Sequence, residues 1–188
     1  MSRPEGNLIA WLGRADAGAE SLGGKGASLD RLGRMGFRVP PGFCLTTAAF
    51  RIQLAATVDS SLGASGAVDV TAVADGLATA DLAPDLEHAL DAAVARLVRE
   101  VTEAGYAPRF AVRSSAVGED GSAASYAGLH ETELDVAPDA IAGAVRRCWA
   151  SLWSPAAVAY RRRRDLSAGR CLHAGPSGVR ATGSATCL

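Results

Sequence analysis

At 188 residues, the chain is long enough for one domain with a hydrophobic core, and its 48% apolar content excludes a disordered polypeptide. A formal net charge of −1 and 5% aromatic residues argue against nucleic acid as the main partner, because backbone phosphates attract basic proteins and bases stack on aromatic rings. No segment is apolar over the length of a membrane span, and the first residues carry too short an apolar run for a signal peptide. We therefore expect a cytoplasmic protein that binds a small molecule.

The N-terminal third predicts a strand followed by a helix. The strand covers Leu8–Trp11, and a glycine-rich turn at Leu22–Gly26 opens the helix, which ends at Gly36. The helix carries four apolar residues: Ala27, Leu29, Leu32 and Met35.

A rigid turn, Val39–Phe43, leads into a second short strand that ends at Leu45. Thr46 or Thr47 is then placed to cap a helix that continues to Ala55. Residues 57–80 are small and weakly patterned, which predicts a loose connection or short helices.

The C-terminal half has the sharper periodicity. Apolar residues at helical spacing predict a helix over residues 84–104, with Pro84 in its first turn and Gly105 after its end. Alternation predicts strands at Phe110–Arg113 and Thr132–Val136, and Pro138 begins a helix that Pro155 interrupts. Residues 166–188 lack helical period, strand alternation and apolar density, so we expect a structured region over residues 1–165 and an unstructured segment after it.

The cysteines and histidines do not have the spacing of a metal site. Cys44 and Cys148 lie in apolar surroundings, where a cysteine behaves as a small buried hydrophobic residue. His88 and His130 have no second potential ligand three or four residues away, so we expect ordinary surface or strand positions. We therefore predict no metal ligands and no catalytic residue in this chain.

Lys25 lies in the sequence Gly23-Gly24-Lys25-Gly26-Ala27-Ser28, at the predicted start of a helix. This is not the phosphate loop G-x-x-x-x-G-K-[ST], because residue 19 is alanine and a glycine follows the lysine. A lysine at a helix N-terminus among glycines still suits an anion, since free N–H groups, the helix dipole and the ammonium all attract negative charge. The alternative is a turn with a solvent-exposed lysine.

The segment Phe110–Thr132 reads as a strand, a loop of small residues and acids, and a second strand. Arg113 ends the first strand on a face that is expected to be half-buried, and a buried arginine needs an anionic partner. Glu119 or Asp120 is available as a structural partner; a ligand phosphate bound with help from Ser114 and Ser115 is the other possibility. The residues alone do not choose between them.

Together these motifs resemble the N-terminal nucleotide-binding domain of the phosphoenolpyruvate synthase and pyruvate phosphate dikinase family, to which rifampin phosphotransferases are also similar. The resemblance rests on segments that occur in the same order over about residues 7–164: GGKGASL from Gly23, VPPGF from Val39 with two threonines after it, FAVRSSA from Phe110, Glu119-Asp120, and SYAG from Ser125.

The resemblance implies an α/β (α+β) fold that is the N-terminal part of an ATP-grasp domain. It implies ATP as the bound nucleotide, with Lys25 and Arg113 on the phosphates and Gly128 and Thr132 lining the site. In the family, ATP is split into AMP and phosphate while a histidine on a separate domain carries the phosphoryl group to pyruvate or an antibiotic. Mg²⁺ is also implied, although its ligands in the family come from a region that has no counterpart here.

The family continues with a second ATP-grasp half, a phosphohistidine domain and an acceptor domain, and residues 166–188 resemble none of them. The resemblance therefore leaves three hypotheses: the ATP-binding portion of a phosphotransferase that is inactive by itself, a non-catalytic nucleotide-binding or partner-docking module, and an inactive truncated product. The acceptor, whether pyruvate, rifampin or another molecule, does not follow from the residues.

Overall fold

The computed structural model describes residues 7–61, 69–116, 132–159 and 184–188. Within them, helices and strands alternate along the chain. The strands are β1 (Ile9–Trp11), β2 (Phe43–Leu45), β3 (Phe110–Ala116), β4 (Thr132–Val136) and β5 (Ser184–Cys187). The helices are α1 (Ala19–Arg34), α2 (Thr47–Ser61), α3 (Val70–Thr79), α4 (Pro84–Glu103) and α5 (Ile141–Ser151). A single 3₁₀ turn, Pro138–Ala140, precedes α5, and residues 155–159 form a further helical turn.

The five strands form one sheet in the order β1-β2-β5-β3-β4, and every neighbouring pair is antiparallel. Helix α1 packs against β3 and β5, whereas α5 packs against β3 and β4. The predicted mixture of helices and strands is therefore confirmed, with an antiparallel sheet at its centre. Among the described residues, no helix combines the length and the apolar content that crossing a bilayer would require.

The main hydrophobic core lies between the sheet and helices α2–α5. Trp149 is fully buried there, and its ring centroid lies 5.6 Å from that of Phe50. Helix α4 buries Leu86, Leu90 and Leu97, as its periodicity predicts, and it begins at Pro84, where the missing N–H of proline has no helical partner to lose. Cys44 and Cys148 are buried, as expected, and His88 is exposed on α4.

Helix α1 leaves the larger apolar residues near its C-terminal end partly exposed. Leu32 and Met35 have 39% and 66% of their surface exposed, and the residues that α1 buries are Leu22, Gly23, Gly24, Gly26 and Asp30. The helix end is as predicted: Gly36 has a φ of 85°, and the N–H of Phe37 donates to the carbonyl of Leu32 at 3.1 Å, which is the Schellman arrangement. Apolar spacing does not identify the contact surface of α1, because the helix makes its closest contact through glycine backbone.

The prediction of an unstructured segment over residues 166–188 is wrong at its end. Strand β5 occupies the middle of the sheet, where Cys187 pairs with Cys44 on one side and with Arg113 on the other. Leu188 continues this pairing, because its N–H donates to the carbonyl of Phe43 at 2.8 Å and its carbonyl accepts from the N–H of the same residue at 3.2 Å. A four-residue strand satisfies its backbone by pairing on both sides, which leaves little apolar pattern in the sequence.

Strand β4 contains a bulge near its C-terminal end. Leu134 and Asp135 lie opposite the single residue Ala111, and Asp135 has a φ of 58°, a left-handed conformation that aspartate tolerates better than most residues. Arg109 donates two hydrogen bonds of 2.7 Å to the Asp135 carboxylate. These bonds and the guanidinium charge hold the pKa of Asp135 below its ordinary value and raise the pKa of Arg109. This exposed pair fixes the start of β3 against β4.

Candidate functional site

The glycine-rich turn and strand β3, which the sequence separates by almost ninety residues, are in direct contact. Gly23 interrupts α1 with a φ of 67° and a ψ of 174°, so a new helical segment begins after it. The N–H of Gly26, in the first turn of that segment, donates to the Ser115 hydroxyl at 3.0 Å. Ser115, which is fully buried, thus supplies an acceptor to a free N–H in the first turn of a helical segment far away in the chain, as an N-cap side chain would.

No residue other than glycine fits at position 23. A β-carbon there would overlap the carbonyl carbon and oxygen of Ser115 and its hydroxyl oxygen. The φ of 67° is itself unfavourable for a residue with a side chain. Glycine at residue 23 is therefore needed for close backbone approach, which is how glycine-rich turns create space beside a ligand phosphate as well.

Arg113 lies on the same face of β3 as Ser115, because side chains two residues apart in a strand point the same way. The two residues are separated by roughly 7 Å along the strand. Ser115 contacts α1, so Arg113 also faces the side of the sheet on which the glycine-rich turn lies. The regular pairing of β3 with β5 over residues 113–116 supports this alternation.

Arg113 has a buried polar atom with no partner among the described residues. Its side chain is half-buried, and its Nε atom is inaccessible and makes no hydrogen bond. The hydroxyl of the adjacent Ser114 is also buried without a partner. Buried donors without acceptors are rare because each costs free energy, so a ligand that supplied an acceptor to Arg113 would be stabilised there.

The remaining predicted site residues are placed as follows. Lys25 is half-buried in the first turn of the second segment of α1, so it is not simply a solvent-exposed turn residue. Thr132 pairs directly with Arg113 in the β3–β4 ladder and therefore lies on the same face, next to it. Gly128 lies outside the described residues, as do Glu119 and Asp120, the structural partners considered for Arg113.

The structure thus brings the segments that contain Lys25, Arg113 and Thr132 together at one face of the sheet. Sequence reasoning missed Ser115 as the residue that joins them, since a hydroxyl bonded to a distant backbone N–H leaves no spacing signal. A cavity of about 520 Å³ lies along α1 and is lined by Gly24, Ala27 and Ser28 among others, but Arg113 does not line it. Within the described residues, no group of three or more His, Cys, Asp or Glu side chains could hold a metal ion.

Comparison with known proteins places this arrangement in context. Residues 19–173 match the family model described as "Pyruvate phosphate dikinase, AMP/ATP-binding domain". The match includes the glycine-rich turn, Arg113 and both strands β3 and β4. It also extends beyond residue 165, where the sequence analysis ended the structured region.

Three relatives illustrate the similarity. A rifampicin phosphotransferase of Streptomyces sviceus is 37% identical over 155 residues, which cover 77% of this chain and 18% of that protein. The phosphoenolpyruvate synthase of Escherichia coli is 36% identical over 174 residues, covering 82% of this chain and 21% of that protein. The prodigiosin synthesizing transferase PigC of Serratia marcescens is 38% identical over 142 residues, covering 75% and 15%. The chain therefore spans about a fifth of the length of these relatives.

Proposed function

Because the chain belongs to the family of the pyruvate phosphate dikinase AMP/ATP-binding domain, we propose that it is the ATP-binding portion of a phosphotransferase. In the proposed reaction, ATP yields AMP and phosphate, and a histidine on a separate domain carries the transferred phosphoryl group to pyruvate or a similar acceptor. We also propose that the described sheet and helices are the N-terminal part of an ATP-grasp domain. The family membership and the antiparallel sheet beside a glycine-rich turn support this assignment.

The observation that carries the proposal is the buried junction between the glycine-rich turn and β3. At this junction the Nε atom of Arg113 is buried and has no partner among the described residues. Arg113 lies on the face of the sheet that contacts the start of the second helical segment of α1, which contains Lys25. ATP supplies a triphosphate chain whose oxygens accept hydrogen bonds, which suits these donors. Arg113 would provide a planar fork to two phosphate oxygens.

Lys25 would supply a point charge to the same phosphates, and the open N-terminus of its helical segment would favour negative charge there. Thr132, beside Arg113 in the ladder, and Gly128 complete the proposed site. The glycine-rich turn and β3, which carry these charged groups, are fixed to each other by the bond between Gly26 and Ser115, and such fixed elements favour electrostatic stabilisation of a transferring phosphoryl group. We assign no magnesium ligand, because the described residues include no cluster suited to a metal ion.

We propose that other parts of the protein determine which acceptor is phosphorylated. Relatives named for rifampicin, for phosphoenolpyruvate and for prodigiosin all match this region at similar identity. Because proteins with such different names share this region, we propose that it binds the nucleotide and does not select the acceptor. We therefore expect no catalytic residue of the acceptor reaction in residues 7–159.

The test is calorimetric titration of the purified chain with ATP, using Arg113→Ala, Arg113→Lys and a matched control, Arg99→Ala. Arg99 is an exposed arginine on α4, so its removal changes the net charge equally without touching β3. Loss of a charge-assisted phosphate contact should cost about 1.5–3 kcal/mol, so Arg113→Ala should weaken ATP binding roughly ten-fold or more. Arg113→Lys should recover part of the affinity, because the charge remains and the fork is lost.

Two outcomes would contradict the proposal. Equal losses in Arg113→Ala and Arg99→Ala would show diffuse electrostatic attraction in place of a site. If Arg113→Ala instead lowered the urea midpoint of unfolding and left ATP affinity unchanged, Arg113 would be a structural ion-pair residue, which is the other role that its sequence position allows.

A further inference from the structure

A second group of positive charges lies at the other edge of the sheet from Arg113. A cavity of about 460 Å³ is formed by β1, the segment after β1, the first turn of α2 and one face of α4. Arg14, Arg51 and Arg96 line it, and its described lining contains no aspartate or glutamate. Strand β1 is at one end of the strand order and β3–β4 at the other, and neither Lys25 nor Arg113 lines this cavity.

Arg96 is held in the cavity wall without being neutralised. Its guanidinium lies 3.9 Å from the centroid of the Trp11 ring, and Trp11 in turn packs against the buried ring of Phe43 at 5.4 Å. A cation–π contact fixes the plane of the guanidinium but uses none of its N–H donors. Among the ion pairs of the described residues, none involves any of the three cavity arginines.

The N-terminus of α2 adds to the positive potential. Thr46 caps this 15-residue helix, accepting from the N–H of Ala49 at 3.4 Å through its hydroxyl and from the N–H of Phe50 at 3.1 Å through its carbonyl. Helix geometry leaves the N–H groups of Thr47 and Ala48 without intrahelical acceptors, and both residues line the cavity. The helix dipole places further partial positive charge at the same point.

Three exposed arginines from separate elements line one cavity without a carboxylate, so they give it a positive potential that attracts anions. Guanidinium forks and helix N-termini are both well suited to phosphate. The volume is in the range of small-molecule sites and exceeds that needed for inorganic phosphate alone, and Ile9 and Ala10 supply apolar wall. We propose that this cavity binds a small organic phosphate, independently of the site around Arg113.

Pyrophosphate is a suitable probe. Its binding to the purified chain is measured by calorimetry and by tryptophan fluorescence. Arg14→Ala and Arg51→Ala should each weaken pyrophosphate binding about ten-fold or more, the loss expected for a charge-assisted contact. Arg99→Ala on α4 is the matched charge control and should change the affinity less than two-fold. Arg113→Ala should leave the affinity for this cavity unchanged, which separates the two sites.

The fluorescence locates the bound anion. Trp11 stacks on Arg96, so binding there should alter its emission, and Trp11→Phe should abolish the spectral change while heat of binding persists. Arg51 is exposed, so its removal should leave the far-ultraviolet circular dichroism of the chain intact. Absence of pyrophosphate binding in the parent chain, an equal loss in Arg99→Ala, or a loss confined to Arg113→Ala would each overturn the proposal.

Discussion

The two ends of helix α1 contrast in how they contact the rest of the molecule. At its N-terminal end, three glycines and Leu22 are buried, and backbone meets the backbone and hydroxyl of Ser115. At its C-terminal end, Leu32 and Met35 are exposed although they are the larger apolar residues. The contrast shows that α1 packs at its N-terminal end through glycine backbone as well as through Leu22, whereas Leu32 and Met35 contribute less to its packing.

The strongest test of this contrast is Gly23→Ala. The new methyl group would overlap Ser115 and would require a left-handed alanine, so we expect a loss of about 3 kcal/mol or more in the free energy of unfolding. Urea denaturation measures it. Gly36→Ala is the control: its φ is also positive, at 85°, but no atom lies within 4 Å of the added carbon, so backbone strain alone should cost about 1 kcal/mol.

Similar losses for Gly23→Ala and Gly36→Ala would break the comparison. They would mean that the positive φ, and not the approach to β3, explains why glycine is needed at residue 23.

A second test separates the two serines that follow Arg113. Ser115→Ala removes the acceptor of the buried Gly26 N–H, which should lower the free energy of unfolding by about 1–3 kcal/mol. Ser114→Ala removes a buried hydroxyl with no partner among the described residues, so it should cost nothing or stabilise the chain slightly. Both are read from urea midpoints at unchanged slope. An equal effect of the two substitutions would contradict the capping role of Ser115.

The smallest effects are expected at the C-terminal end of α1. Met35→Ser should change the free energy of unfolding by no more than about 0.5 kcal/mol, because 66% of the surface of Met35 is exposed. Leu32→Ser should cost somewhat more, because only 39% of the surface of Leu32 is exposed. Leu22→Ala, a fully buried position in the same helix, should cost about 2–5 kcal/mol and serves as the matched control. If Leu32→Ser destabilised the chain as much as Leu22→Ala, the exposed face of α1 would be a packed surface in solution.

The elements that were predicted well are those whose signal is local and repeated. Helix α4 carries five turns of apolar spacing with proline at one end and glycine after the other, and each turn adds to the same prediction. The ending of α1 at Gly36 depends on a single turn of backbone, so it too was accessible from the residues. Strands β3 and β4 alternate clearly enough to be recognised, although their bulge was not.

The candidate site was only partly predictable. Lys25, Arg113 and Thr132 were singled out through motifs and a family resemblance, and their role in binding ATP stays a prediction. Ser115 was recognised as a possible phosphate donor and not as the cap of a distant helix. The arginine cavity at β1 was not anticipated, because Arg14, Arg51 and Arg96 are far apart in the chain and each reads alone as an ordinary surface residue.

The residues by themselves determined the mixed helical and strand composition, the position of α4, the end of α1 and the family to which the chain belongs. These follow from short-range rules of backbone geometry and from motifs that can be recognised without knowledge of the fold. The tertiary structure alone decided that Ser184–Cys187 fills the middle of the sheet, that glycines of α1 meet Ser115, and that three arginines share one cavity. Each of these depends on contacts between residues distant in the chain, and such contacts carry no period that a local pattern can reveal.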